Sequence, residues 1–138
     1  MRSIGVDFGG TGIKGAVVDL AAGCLASGRH RIPTPRPSTP EAVAETIASV
    51  VDEVDEELAC DGPVGVAVPA VVTAGSVRSA ANIDDGWMDF DGDGFLTERL
   101  CRDVRLLKDA VAAGLAEMRY GVGEGRSGTT VLLTLGTG

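Results

Sequence analysis

IGVDFGGTGIKGAVVD, residues 4–19, sets two short runs bearing Val and Ile, 3–8 and 13–19, on either side of the glycine-dense turn GGTG at 9–12. Runs of that length and composition read as strands, and a tight glycine turn between them predicts an antiparallel hairpin. The turn also carries chemistry. Glycines let backbone N–H groups approach an anion closely, the Thr11 hydroxyl can donate to it, Lys14 adds positive charge, and Asp7 can hold Mg2+ directly or through water. Gly9, Gly10, Thr11 and Lys14 are therefore candidate phosphate-binding residues and Asp7 a candidate metal ligand, although a glycine hairpin is also a common purely structural device. The motif is not a P-loop, which needs four residues between its first glycine and a Gly-Lys pair. Nor is it a dinucleotide-binding turn, which opens a helix, whereas this one opens a second strand.

Outward from the hairpin, a third strand is expected over about 24–32, ending at the prolines Pro33, Pro35, Pro37 and Pro40, a stiff surface connection. Thr39, Pro40 and Glu41 have the order of an N-cap, a first-turn proline and an acid near the positive end of a helix, which predicts a helix from 40 to about 59. Val43, Ile47, Val50, Val51, Val54 and Leu58 lie on one face of its 3.6-residue period. Asp61, Gly62 and Pro63 stop it, and VGVAV at 64–68 reads as a buried strand parallel to an earlier one. Further on, the pattern gives a turn at Ala74–Gly75, a short strand over 76–80, a loop through AANIDDGW and a short helix over 95–102. A strand at 104–107, an Ala-rich helix at 109–120 closed by Gly121, and a strand at 130–135 complete the chain. GVGEGRSG at 121–128 has the composition of a hinge.

The 138 residues suffice for one core, and 44% hydrophobic with 23% charged residues excludes wholesale disorder and fibrous architectures. Twelve Lys and Arg face twenty Asp and Glu, and the net charge of −8 argues against broad nucleic-acid or anionic-membrane binding. No apolar run approaches the roughly 20 residues that span a bilayer, and MRSIGVDFGG enters a strand pattern with no leader, so the expected address is cytoplasmic. Cys24, Cys60 and Cys101 are spaced like buried thiols rather than a disulfide framework or zinc site. His30 alone cannot serve a motif that needs two histidines; it reads as a strand residue, and Trp87 as a packing aromatic.

Two further stretches could carry chemistry. LTLGTG at 133–138 is again a strand running into glycine and threonine, which adds Gly136, Thr137 and Gly138 as a second candidate phosphate turn. Asp109 falls where the strand 104–107 ends and the helix 109–120 begins, the place where α/β proteins put reactive groups. An Asp there reads as a helix N-cap, and it could also be a general base for an attacking sugar hydroxyl. Asp89, Asp91, Asp93 and Gly94 copy part of an EF-hand loop, but Leu100 stands where its bidentate Glu belongs and no helix leads in, so calcium is not expected.

The string at 4–19 resembles the first phosphate motif of the sugar kinases of the ROK group, in the actin-like (RNase H-like) superfamily. IPTPRPSTPEAVAETIA at 32–48, DGPVGVAVPAVV at 61–72, SAANID at 79–84, DAVAAGLAEMRYGVGEGRSG at 109–128 and LLTLGTG at 132–138 resemble the polyphosphate glucokinases of that group, over almost the whole chain. The resemblance implies an α/β actin-like ATPase domain with a mixed sheet, its first three strands antiparallel in 1–2–3 order and the later ones parallel. This domain would occupy 1–122, and 123–138 would begin a truncated second domain. The implied reaction is transfer of a phosphoryl group from polyphosphate or ATP to the 6-hydroxyl of glucose. By position, Asp109 would be the catalytic base and sugar contact, and Asn82 would lie near the sugar. Gly9, Gly10, Thr11, Lys14, Gly136, Thr137 and Gly138 would bind the donor, with Mg2+ near Asp7. The full-length family implies a homodimer and a second half that completes the glucose site, so the isolated chain is expected to be inactive. Lys108 and Val111 depart from the family's Asn before the catalytic Asp and Asp or Asn two residues after it. An alternative is therefore a non-catalytic remnant or phosphate-binding module of the same fold.

Overall fold

In the computed structural model, which describes residues 1–133, the hairpin is strand β1 (Arg2–Phe8) paired antiparallel with β2 (Gly12–Asp19), Asp7 opposite Lys14 and Phe8 opposite Ile13. The two short strands β3 (Cys24–Leu25) and β4 (His30–Pro33) both pair antiparallel with β2. After helix α1 (Pro40–Glu57) comes β5 (Val64–Val68), parallel to β1. A small hairpin, β6 (Val72–Thr73) and β7 (Ser76–Val77), then precedes α2 (Gly92–Leu100), and β8 (Val104–Lys108) joins β5 in parallel. Helix α3 (Asp109–Tyr120) follows directly. The sheet order is β3–β2–β1–β5–β8, with β4 also on β2. This is the mixed sheet that the sequence predicts, antiparallel first and parallel afterwards.

The core lies between the sheet and α1. Thr39 caps that helix, its Oγ1 accepting from Ala42 N at 3.3 Å, a contact worth about 1 kcal/mol. Val43, Ile47, Val50, Val51 and Val54 are buried against Ile4, Val6, Ile13, Val17, Val64 and Val66, each side chain contributing roughly 1.5–3 kcal/mol. Gly15 permits the close approach, because a Cβ there would collide with Val50 Cγ1. The opposite sheet face is thinly covered. α3 lies on it with no buried residue of its own, and Leu25, Leu107, Val111 and Leu115 are 39–55% exposed. An apolar trough of about 520 Å3 separates α3 from the sheet, floored by Gly5, Ala16, Gly65 and Ala67.

Several expectations need correction. The third strand breaks in two because Ser27 Oγ accepts from Val17 N at 2.9 Å, so a side chain takes the place of the ladder between Leu25 and His30. The helix placed at 95–102 begins at Gly92, since Asp91 is its N-cap and accepts from Gly94 N at 3.1 Å. The strand placed at 76–80 covers only Ser76–Val77. Thr130–Leu133 form no strand, and the remainder of 130–135 lies outside the described residues. Cys60 is buried, but Cys24 and Cys101 are exposed.

His30 holds β4 to α1. Its Nδ1 lies 3.2 Å from Glu53 Oε2 and its Nε2 2.7 Å from Glu57 Oε2. With a carboxylate at each ring nitrogen the doubly protonated ring is favoured, and the hydrogen bond to Glu57 is the main cause that raises its pKa above the ordinary 6.5. Glu57 moves down, first because Gly28 N–H donates to it and then because of His30. The stability from His30 is therefore complete below its unfolded value and is lost as pH rises through the raised folded one; that from Glu57 is present above 4.5 and lost as pH falls through its lowered value. His30→Gln should lower Tm most at about pH 6 and progressively less toward about pH 9. A deficit constant over that range, read by circular dichroism melts, would assign the effect to packing alone.

Candidate active site

The carboxyl ends of β1, β5 and β8 open on a cleft of about 540 Å3, the location that open α/β sheets use for ligands. One wall is the end of β1 with the turn after it, contributing Asp7, Gly9, Gly10 and Thr11; the cleft is also lined by Pro69 after β5, Asn82 and Ile83 from the loop before α2, and Asp109. Five of the predicted site residues from the first turn and the strand–helix junction thus share one cavity with Asn82. Lys14 does not line it. Paired across the hairpin from Asp7, it lies on the neighbouring sheet face, its Nζ 3.4 Å from Asp7 Oδ2. Gly136, Thr137 and Gly138 fall outside the described residues.

Asp109 is the first residue of α3 rather than its cap. Lys108 occupies the cap position with no side-chain hydrogen bond, while Asp109 Oδ1 accepts from Ala110 N at 2.7 Å. Its carboxylate is exposed to the cleft and retains lone pairs to accept a further proton or hydrogen bond. The Gly9–Gly12 turn is closed by Gly9 N donating to Gly12 O at 3.1 Å.

The third wall is one that the sequence reading did not single out. Thr34, Arg36 and Ser38 line the cleft from the connection between β4 and α1. Extended chain sends alternate side chains to opposite sides, and here Pro33, Pro35 and Pro37 alternate with the three polar residues. That period of two was the available signal. The connection is stitched at both ends: Thr34 Oγ1 donates to Gly9 O at 2.6 Å, Asp84 N donates to Ser38 Oγ at 3.3 Å, and Trp87 Nε1 donates to Ser38 O at 2.9 Å. Trp87 is 1% exposed, as the packing reading expected. It starts an aromatic series beneath the cleft, with ring centroids 6.1 Å from Phe8 and 5.7 Å from Phe90, and Phe90 5.1 Å from Phe95.

The aspartates of the EF-hand-like run are employed separately. Asp89 pairs with Arg78 at 2.8 Å, Asp91 caps α2, and Asp93 accepts from Leu106 N at 2.7 Å. Among the described residues no three His, Cys, Asp or Glu side chains gather as a metal cluster. No helix among them is long and apolar enough to cross a membrane.

Residues 3–138 match the ROK family. The chain belongs to the ROK family. The polyphosphate glucokinase of Mycobacterium tuberculosis H37Rv is 50% identical over 138 residues, which are 99% of this chain and 51% of that protein. The Mycobacterium leprae polyphosphate glucokinase is 49% identical, with 99% of this chain matching 41% of its length. Among solved structures, the inorganic polyphosphate/ATP-glucomannokinase of Arthrobacter sp. strain KM superposes with a TM-score of 0.85 and 51% identity, over 90% of this chain and 50% of that one. A ROK glucokinase of Streptomyces griseus in complex with glucose and AMPPNP gives 0.78 and 33%, over 91% and 38%. This ROK chain spans about half the length of the curated relatives it matches, and its sheet is that of the actin-like ROK sugar kinases.

Proposed function

We propose that this ROK chain is the N-terminal part of a glucokinase, a phosphotransferase that moves a phosphoryl group from polyphosphate or ATP to the 6-hydroxyl of glucose. The observation that carries the reading is the single cleft shared by the Gly9–Thr11 turn, Asn82 and Asp109. The names of the relatives support the donor and acceptor. Residues 1–122 form the N-terminal domain and 123–138 open the second; the complete protein works in the cytoplasm as a homodimer.

In this reading Asn82 hydrogen-bonds the sugar and Asp109 accepts the 6-hydroxyl proton as that oxygen attacks the terminal phosphorus. The new O–P bond forms while the bridging P–O bond of the donor breaks, and the shortened polyphosphate, or ADP, departs with the bonding pair. Gly9 closes the turn through its own N–H, the Gly10 N–H and the Thr11 hydroxyl hold the phosphoryl oxygens in line, and Gly136, Thr137 and Gly138 supply further donor-binding residues. Asp7 suits Mg2+: its carboxylate is exposed beside the cleft with one oxygen engaged by Lys14 at 3.4 Å, and Mg2+ usually takes one or two carboxylates plus waters and substrate phosphates. When bound, the ion would neutralise charge on the donor.

A coupled assay for glucose 6-phosphate, with polyphosphate and ATP supplied separately, tests this. The 138-residue chain alone should turn over far below the roughly 10 s−1 typical of enzymes, because it spans only about half the length of its relatives. The chain extended by the second half of its M. tuberculosis relative should be active. Lys108 and Val111, the latter 48% exposed, favour a second reading in which the chain binds phosphate without turnover. An extended chain that binds polyphosphate yet leaves glucose untouched would establish it.

A further inference from the structure

We propose that Arg36 is a donor-binding residue, the cation that receives the phosphoanhydride chain opposite the Gly9–Thr11 turn; the inference rests on the phosphotransferase reading and assigns its polyanion a specific partner. Among the described residues lining the cleft, Arg36 is the one cation, set against the two carboxylates of Asp7 and Asp109. Lys14 does not line the cleft but pairs with Asp7 from behind, its Nζ 3.4 Å from Oδ2. Without Arg36 no cationic side chain among the described residues would line the cleft to meet a polyanion.

The guanidinium is also positioned for the task. Its Nη2 donates to Gly10 O at 3.3 Å, a long bond that parks the group beside the turn and uses one of its five N–H donors. The remaining donors form a planar fork that matches phosphate oxygens in pairs. Pro35 and Pro37 fix φ on both sides of Arg36, and the anchors at Thr34 and Ser38 hold the strap at both ends. Little backbone entropy is therefore lost when an anion docks. The same fork would fit inorganic polyphosphate and the phosphates of a nucleotide, since it touches only what they share.

Calorimetric titration of the 138-residue chain with Mg2+-tripolyphosphate and, separately, Mg2+-AMPPNP decides the matter. Arg36→Gln should weaken binding about tenfold or more, and Arg36→Lys, which keeps the charge but loses the fork, by less. Arg29→Gln changes net charge equally from the apolar trough on the other sheet face and should bind like the parent. Weakening of both ligands supports contact with their common chain, and weakening of one alone supports the proposal and names the source. Parent-like binding by Arg36→Gln, or equal weakening by Arg29→Gln, overturns the inference and leaves the phosphotransferase reading standing. If neither the parent nor the chain extended by the second half of its relative binds either ligand at about 10 mM, both fall. Arg36 is exposed, so unchanged melts of the variants separate lost contact from lost fold.

Discussion

Asp109→Asn, made in the chain extended by the second half of its mycobacterial relative, should lower kcat about 1,000-fold and leave the glucose KM within a few-fold. A positioned general base contributes about 100- to 10,000-fold, and Asn removes the proton acceptor while preserving shape. The start of α3 should survive, because an amide oxygen can still accept from Ala110 N as Oδ1 does at 2.7 Å. The split between kcat and KM is the informative part. A rise in KM with little change in kcat would make Asp109 a sugar contact only. A loss under about tenfold would reduce it to a helix-terminus residue.

Trp87→Ala should destabilise the chain by about 3–5 kcal/mol, a fall in Tm on the order of 10 °C or more by circular dichroism. The indole is 1% exposed and packs on Phe8 and Phe90, so its removal leaves a cavity beneath the glycine turn. It also orphans the Ser38 carbonyl that Nε1 holds at 2.9 Å. Trp87→Phe separates the two roles, since it retains much of the packing and none of that hydrogen bond. It should cost about 1–3 kcal/mol and slacken the strap that carries Arg36. A Trp87→Ala chain that melts with the parent would mean that the strap and turn are held by something else.

The elements legible in the sequence are those whose signals are local and redundant. α1 announces itself through its Thr39–Pro40 start, its apolar period and its Asp61–Gly62–Pro63 stop, three cues that agree. The hairpin is equally explicit. The third strand misled because its break depends on a contact ten residues away, Ser27 Oγ with Val17 N, which no short window contains. The start of α2 was obscured because Asp91 and Asp93 have the spacing of calcium ligands, whereas each is consumed by a nearby backbone N–H. Asp109 was located correctly but displaced by one in its helical role, since Lys108 has the cap conformation without a capping side chain. Thr34, Arg36 and Ser38 were hidden by the prolines beside them. A proline cluster reads as a connector, and only its alternation with polar residues shows that the connector has a polar side, the one that lines the cleft.

α3 has no buried residue, while the residues that α1 turns inward are sealed against the sheet. Amide hydrogen exchange should therefore be graded across the molecule, slowest in α1, β1 and β5 and fastest in α3, because local opening is easiest where least apolar surface is interred. The proposed base thus rides on the least protected helix, at its first turn. Opening of α3 would displace Asp109 from the cleft, so the contacts that hold α3 on the sheet also hold the proposed base in place. Substitutions that loosen α3 would then slow the reaction without touching either substrate.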